Sequence, residues 1–127
     1  MAKSPKPTDG ELAILRVLWL RGPSTVREIQ NTMNAAKPTG YTTVLKLLQI
    51  MADKGLVDRD ESVYAHVYKA RCPQTQTQQT LVADLLDRAF DGSAGRMVVQ
   101  ALAAQKAGPE ELAEIRRLLK DYERGVK

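Results

Sequence analysis

The 127-residue sequence predicts a mainly α-helical fold with one small β-hairpin. Over most of the chain, apolar residues recur every three or four positions, which is the period of a helix with one buried face. Between residues 56 and 68 the period changes to two, and β-branched and aromatic residues alternate with others. Aromatic residues make up only 5% of the chain, so the core is expected to consist of aliphatic side chains.

Three short helices are predicted in the first half of the chain. Thr8 and Thr25 are each followed three residues later by a glutamate, which is the spacing of a capping box at a helix start. Thr39 is positioned to cap a third helix, and Gly55 is predicted to end it. Each helix is too short to be stable alone, so the three are expected to share one core. Their predicted spans are about residues 9–20, 26–35 and 40–54.

A β-hairpin is predicted directly after the third helix. In this interpretation residues 56–59 form one strand, residues 60–62 turn, and residues 63–68 form the return strand. Three helices followed by a hairpin is the layout of a winged helix-turn-helix. We therefore expect such a DNA-binding domain over residues 8–72, preceded by a disordered basic arm over residues 1–7.

Three further amphipathic helices are predicted over residues 73–127. The polar run at residues 74–80 is either a linker or the first turn of the fourth helix, Ser93 can cap the fifth, and Pro109 can begin the sixth. Such a short region buries little apolar surface alone, so we expect a helical dimerisation domain covered by a second copy. The alternative is that these helices fold back onto the winged helix of the same chain. The expected dimer contacts are Leu81, Leu85, Val98, Leu102, Leu112, Ile115, Leu118, Leu119 and Tyr122.

The positive charge of the chain is concentrated in its first half. Residues 1–72 hold 11 Lys and Arg against 7 Asp and Glu, whereas residues 73–127 hold 8 of each. A basic half beside a neutral half suits a module that binds double-stranded DNA, joined to an assembly module. Chance is the alternative explanation, since the total net charge is only +4.

The composition argues against several functional classes. There is no run of 18 apolar residues, so membrane insertion is not expected, and the polar N-terminus lacks the apolar stretch of a signal peptide. Together with the single cysteine, Cys72, these features predict a cytoplasmic protein. One cysteine and one histidine, His66, are too few for a common zinc site, and no glycine-rich phosphate loop is present. We therefore expect no enzymatic activity, no metal and no cofactor.

The outward face of the third helix carries the residues that are predicted to read DNA. With the apolar stripe inward, Thr42, Thr43 and Lys46 face outward near the helix start, where base edges would be met. A threonine hydroxyl can donate or accept, its methyl can contact a thymine methyl, and a lysine can reach guanine or phosphate. The threonines could instead cap the helix locally, and Tyr41 could bind a phosphate or pack at the helix start. Further predicted DNA contacts are Thr39, Arg27 and Arg59.

Several segments, taken in this order, resemble one family of regulators. Residues 11–19 read ELAILRVLW, residues 41–44 read YTTV and residues 90–93 read FDGS. They resemble the BlaI/MecI/CopY penicillinase-repressor family of winged-helix transcriptional regulators, and the likeness covers nearly the whole chain. The resemblance implies a homodimeric repressor of inverted-repeat operators. It places the DNA contacts on the recognition helix, at Thr42, Thr43 and Lys46.

The resemblance also implies a mode of regulation. In the antibiotic-responsive branch, a membrane sensor metalloprotease relieves repression when the repressor is cleaved in its dimerisation region. The corresponding stretch here lies near Gln100 and Ala101. The copper-responsive branch carries a cysteine cluster that this chain lacks. Ile50 and Tyr64 stand where members of the family often carry a basic residue.

Two other functions remain open on the sequence alone. A winged helix can serve as a module that binds a protein partner instead of DNA. It can also belong to a ligand-sensing regulator of another family, which would need an apolar pocket with convergent polar groups. Salt-sensitive operator binding distinguishes DNA recognition from protein binding, because displaced counterions make DNA affinity fall steeply with salt.

Overall fold

The computed structural model describes residues 5–62 and 64–125, and it confirms a mainly α-helical fold with a small antiparallel sheet. The chain divides into two compact units, the first ending at Asp84 and the second beginning at Leu85. This division falls inside the fourth helix, whereas the sequence suggested a boundary between residues 72 and 73. The elements in chain order are α1 (Asp9–Arg21), β1 (Ser24–Thr25), α2 (Val26–Asn34), α3 (Tyr41–Lys54), β2 (Val57–Asp60), β3 (Val67–Ala70), α4 (Gln74–Ala89), α5 (Ala94–Ala104) and α6 (Pro109–Glu123).

The first two helices begin at capping boxes, as predicted. The Thr8 hydroxyl accepts a hydrogen bond from the Glu11 amide (3.3 Å), and the Thr8 amide donates to the Glu11 carboxylate (2.9 Å). Thr25 and Glu28 repeat the arrangement, with distances of 3.2 and 2.8 Å. Each box satisfies backbone amides that a helix start would otherwise leave without partners.

The third helix begins at Tyr41 and is capped differently from the prediction. Its N-cap is Gly40, and no side chain forms a capping hydrogen bond there. The Thr39 hydroxyl donates instead to the Lys37 carbonyl (3.1 Å), so the predicted capping role of Thr39 is wrong. Gly55 ends the helix as predicted, with a φ of 84° that favours glycine.

The wing differs from the predicted hairpin in the bounds of its strands, since β2 spans Val57–Asp60 rather than residues 56–59. The return strand β3 spans Val67–Ala70 rather than residues 63–68. Directly after β2, the Asp60 carboxylate accepts a hydrogen bond from the Ser62 amide (2.9 Å), a local contact typical of a turn. Val63, the predicted start of that strand, lies outside the described residues. Tyr68 is only 1% exposed, and its burial decides which face of β3 points to the core.

A third strand, β1, was not predicted. The strand order is β1-β3-β2 with antiparallel pairing throughout, and Ser24 of β1 lies opposite Tyr68 of β3. A two-residue strand carries no readable periodicity, so the sequence gives no signal for it. This strand joins the wing to the segment between α1 and α2.

One apolar core unites α1, α2, α3 and the sheet. Ile14, Ile29, Val44 and Leu48 are fully buried, so each of the three helices contributes side chains to this core. The indole nitrogen of Trp19 donates to the Cys72 carbonyl (3.0 Å), which ties α1 to the residues that follow the wing. The first unit therefore holds the three helices and the sheet together around shared side chains.

A buried carboxylate joins the start of α1 to the end of α3. Glu11 is 2% exposed, and its Oε1 accepts hydrogen bonds from the Thr8 amide and from Lys54 Nζ, the latter at 2.7 Å. Burial alone would raise the pKa of Glu11, but the Lys54 ammonium and the Thr8 bonds outweigh it and lower the pKa below its ordinary value of 4.5. The folded state therefore favours the charged form of this carboxylate.

The N-terminal residues that the structure describes contact the first unit. Pro7 is buried, and Lys6 Nζ lies 3.1 Å from Asp84 Oδ2 on α4. Residues 5–7 thus differ from the free arm expected over residues 1–7. The first four residues of that expected arm lie outside the described residues.

The helices α4, α5 and α6 bury very little. The polar run at residues 74–80 is helical from Gln74, so of the two alternatives it is the start of the fourth helix. Ser93 caps α5 as predicted, since its hydroxyl accepts from the Arg96 amide (3.2 Å). Within these three helices, Thr77 is the one residue that is buried.

Substituting Glu11→Gln is expected to reduce the dependence of the free energy of unfolding on pH in the acid range. Because the pKa of Glu11 is lower in the folded chain than in the unfolded chain, the carboxylate stabilises the fold above about pH 4.5, and this contribution disappears as the pH falls through the folded value. Near neutral pH, weakening this buried charged hydrogen bond should lower the free energy of unfolding by about 1–3 kcal/mol. Urea titrations at several pH values measure both effects. Lys54→Met should also weaken the acid dependence, because it removes the ammonium that lowers the pKa of Glu11. Parallel acid slopes for wild type and both variants would contradict this coupling.

Candidate nucleic-acid interface

Helix α3 has one face in the core and one face in solvent. Val44, Leu48 and Met51 are fully buried against α1, α2 and the sheet. Thr42, Thr43 and Lys46 are exposed on the other side of the helix. The structure therefore places the three predicted DNA-reading side chains together at the N-terminal end of one exposed helical face.

These three side chains are not engaged inside the protein. No side chain caps α3, and the hydroxyls of Thr42 and Thr43 form no hydrogen bond with another described residue. Lys46 likewise forms no ion pair within residues 5–62 and 64–125. Local capping therefore does not account for the threonine pair, and all three polar groups are free to meet a ligand.

Arg27 and Tyr41 form a stacked pair beside this face. The guanidinium carbon of Arg27, on α2, lies 4.8 Å from the centre of the Tyr41 ring, at the first position of α3. A guanidinium at this distance over an aromatic face is attracted by the ring and held in one orientation. Arg27 Nη1 also donates to Gln30 Oε1 (3.2 Å). Tyr41 thus supports a cation, which is a role that the sequence did not suggest.

Two amide side chains shape the turn that leads into α3. Gln30 Nε2 donates to the Thr39 carbonyl (3.2 Å), and Asn34 Oδ1 accepts from the Thr39 amide (2.7 Å). Thr39 is half-buried, so the structure gives this predicted DNA contact a role in the turn itself. Sequence reasoning missed Gln30 and Asn34, although amides close to a Pro-containing turn are a recognisable signal for backbone bonding.

The arginines of the wing are engaged by neighbours on the wing. The pKa of Arg59 is raised, first by a hydrogen bond with the Tyr68 side chain and then by the charge of Glu61, whose carboxylate lies 3.3 Å away. Arg71 Nη2 lies 2.7 Å from Asp58 Oδ1. Such exposed pairs add little stability, but each puts a negative charge beside an arginine. Arg59 is therefore less available to a phosphate than an unpaired cation would be.

Comparison with known proteins decides the family. The family model of the penicillinase repressor matches residues 7–121. The chain belongs to the penicillinase repressor family. It is 32% identical over 126 residues to the transcriptional regulator BlaI of Mycobacterium tuberculosis, covering 98% of this chain and 91% of that protein. It is 20% identical over 122 residues to the penicillinase repressor of Bacillus licheniformis, covering 96% and 95% of the two chains.

A solved structure supports the fold of the first unit. The repressor resembles the monomeric form of Bacillus licheniformis BlaI, solved in complex with the blaP half-operator, with a TM-score of 0.51 and 20% identity. The likeness covers 60% of this chain and 93% of that one. The predicted winged-helix fold is thereby confirmed.

Family membership settles the class of function. The chain is a DNA-binding transcriptional repressor and not an enzyme, as the sequence predicted. The alternative of a regulator from another family is wrong.

In the part of the repressor that the structure describes, no three His, Cys, Asp or Glu side chains are grouped to hold a metal ion. Across those same residues, no helix has the length and hydropathy needed to cross a membrane.

Two positions of the repressor carry an apolar or phenolic side chain where the family resemblance implies a basic one. Ile50 is 39% exposed on α3, and Tyr64 is fully exposed in the loop between β2 and β3. Neither side chain can neutralise a phosphate. These two positions therefore add nothing to the electrostatic part of DNA binding.

The residues predicted for dimerisation are only partly covered in the single chain. Tyr122 is 71% exposed, and Leu119 is more than half exposed. The exposed members of the set also include Leu85, Val98 and Leu118, and the half-buried members are Leu81, Leu102, Leu112 and Ile115. The predicted cleavage position, Gln100 and Ala101, is exposed within α5.

Two substitutions at Tyr41 are expected to distinguish its two candidate roles. Its hydroxyl could bind a phosphate, or its ring could hold Arg27 in place. Because the ring holds Arg27, Tyr41→Phe should keep the affinity for operator DNA within about two-fold, whereas Tyr41→Ala should lower it about two- to five-fold, the usual size of an exposed cation–π contact. Fluorescence anisotropy with labelled DNA measures both. If Tyr41→Phe weakens binding as much as Tyr41→Ala, the hydroxyl is the important group and the supporting role is refuted.

Proposed function

We propose that this repressor binds an inverted-repeat operator as a homodimer, with α3 of each protomer in one major groove. The observation that carries the proposal is the exposed face of α3, where Thr42, Thr43 and Lys46 have no partner among the described residues. The monomeric form of Bacillus licheniformis BlaI was solved with a half-operator, which supports one protomer per half-site. A twofold dimer then requires a pseudo-palindromic operator.

The chemistry of the exposed face fits base recognition followed by backbone anchoring. Each threonine offers a hydroxyl to a base edge and a methyl group to thymine, and Lys46 can reach guanine or a phosphate. We assign Arg27, supported by Tyr41, to a phosphate contact beside α3. Arg59 is proposed as a weaker contact, since Glu61 competes for its guanidinium. Thr39 is proposed to contact the DNA backbone from the turn that precedes α3.

The exposed apolar side chains of α4, α5 and α6 support assembly through these helices. No residue of α5 or α6 is buried within one chain, although both helices carry apolar stripes. Covering such side chains with a second copy removes apolar surface from water, at about 25 cal/mol for each Å². Twofold pairing is the commonest way for identical chains to do so. One half-site provides about half of the contacts, so loss of the dimer would release the DNA.

Induction by proteolysis is part of the same proposal. A protease needs an extended substrate, and Gln100 and Ala101 lie within helix α5. Because α5 buries no residue, it can unfold locally at little cost and present this bond. Cleavage there would remove α6 and weaken the dimer. A membrane sensor metalloprotease is the proposed agent, and full-length repressor after co-expression with its activated cognate sensor would refute the idea.

The variants Thr43→Ala and Lys46→Ala are expected to weaken operator binding in different ways. Thr43→Ala should lower specific affinity about five-fold, the value of one lost hydrogen bond, and leave nonspecific binding unchanged. Lys46→Ala should also reduce the slope of log affinity against log salt by about 1, if it neutralises one phosphate. Anisotropy titrations use the region upstream of the repressor's own gene, scrambled competitor DNA and two salt concentrations. Wild-type operator affinity in both variants would refute the proposal that α3 contacts the bases.

The variant Leu118→Asp is expected to yield monomers. A carboxylate in the apolar stripe of α6 would be buried without a partner in the dimer, which is strongly unfavourable. Ala113→Asp is the matched control, because residue 113 is exposed and lies off that stripe. Sedimentation velocity gives the oligomeric state, and circular dichroism checks that the helices persist. A Leu118→Asp dimer as stable as wild type would contradict the assignment of this face.

A further inference from the structure

A groove of about 590 Å³ lies on the first unit, on the side of α1 that faces the end of α2. Its apolar lining includes Val17 and Leu20 from α1, and Met33 and Ala36 from α2 and the turn after it. Leu20 is 83% exposed, which is unusual for so large an apolar side chain beside a packed core. The groove therefore offers an apolar floor that is left open to solvent.

Two cations border this groove, and no acidic residue lines it in the part of the chain that the structure describes. Arg16 and Lys37 are both exposed, and neither side chain forms a hydrogen bond or ion pair with a described residue. Arg21, five residues further along α1, differs because it lies 3.5 Å from Glu28. The groove thus has an excess of positive charge that the protein itself does not neutralise.

We propose that the groove binds a small organic anion with an apolar body, such as an aromatic carboxylate. The apolar body would cover Val17, Leu20 and Met33, and the carboxylate would face Arg16 and Lys37. A bare phosphate would leave the apolar floor exposed, and a neutral apolar molecule would leave both cations unpaired. Ligand sites commonly combine an apolar lining with a few convergent polar groups in this way.

Occupation of the groove would reach the DNA-reading helix through one turn. Lys37 and Thr39 line the groove, and the backbone of Thr39 is fixed by Gln30 and Asn34 just before α3 begins. A bound anion would add negative charge at this turn and engage Lys37, so it is expected to lower DNA affinity. Linkage then requires DNA to lower the affinity for the anion by the same factor. This coupling, unlike the site itself, rests on the proposed function.

Binding of a matched pair of probes tests the site without DNA. Naphthalene-2-carboxylate carries the charge, and naphthalene-2-carboxamide has nearly the same shape without it. Amide chemical shifts of the repressor locate the bound probe, and their change with probe concentration gives its affinity. The carboxylate is expected to shift residues of the groove and to bind at least about five-fold more tightly than the amide, the value of one screened charge contact.

Three variants make the test specific. Arg16→Gln and Lys37→Gln should each weaken carboxylate binding about five-fold, whereas Lys46→Gln, which removes an exposed cation outside the groove, should leave it unchanged. All three positions are exposed, so the fold should persist. Equal binding of the two probes, shifts confined to α4, α5 and α6, or full affinity in both groove variants would overturn the proposed site. If the site is confirmed but saturating carboxylate leaves operator affinity unchanged, the coupling through the turn is overturned.

Discussion

The burial of one face of α3 is the constraint on which the rest of this repressor depends. Val44, Leu48 and Met51 are fully buried, and this fixes the rotation of the helix about its own axis. Because a helix turns by about 100° per residue, fixing those positions also fixes where Thr42, Thr43 and Lys46 point. The core packing therefore sets the orientation of these three side chains. A shift of that packing would move every proposed base contact at once.

Charged groups in the first unit fall into two classes with different physical roles. Some are bound internally, as Lys54 is to Glu11 in a sheltered pair and Arg71 is to Asp58 on the wing. Others, such as Lys46, form no hydrogen bond or ion pair with a described residue, so no carboxylate competes with a ligand for them. Net charge alone hides this difference, because a paired arginine and an unpaired lysine count equally in the sum. The ion pairs show which cations already have a carboxylate beside them, and Arg59 and Arg71 of the wing are among these.

The fold was predictable where periodicity and capping agree, and unpredictable where structure depends on contacts distant in sequence. The capping boxes at Thr8 and Thr25 have local signals, and both helix starts follow from them. The pairing of β1 with β3 and the burial of Tyr68 bring together residues far apart in sequence, which no local pattern reveals. At the candidate site, the outward face of α3 follows from its apolar stripe. The stacking of Arg27 on Tyr41 required the packing of two helices against each other.

The short strand β1 has a consequence for which part of the wing can be changed without disturbing the core. It pairs with β3, whose other edge pairs with β2. The base of the wing is therefore hydrogen-bonded to the chain between α1 and α2. The described residues of the loop beyond this pairing, 61–62 and 64–66, lie outside the paired register and are exposed. Substitutions at these positions therefore change the surface of the wing and leave the buried packing that orients α3 in place.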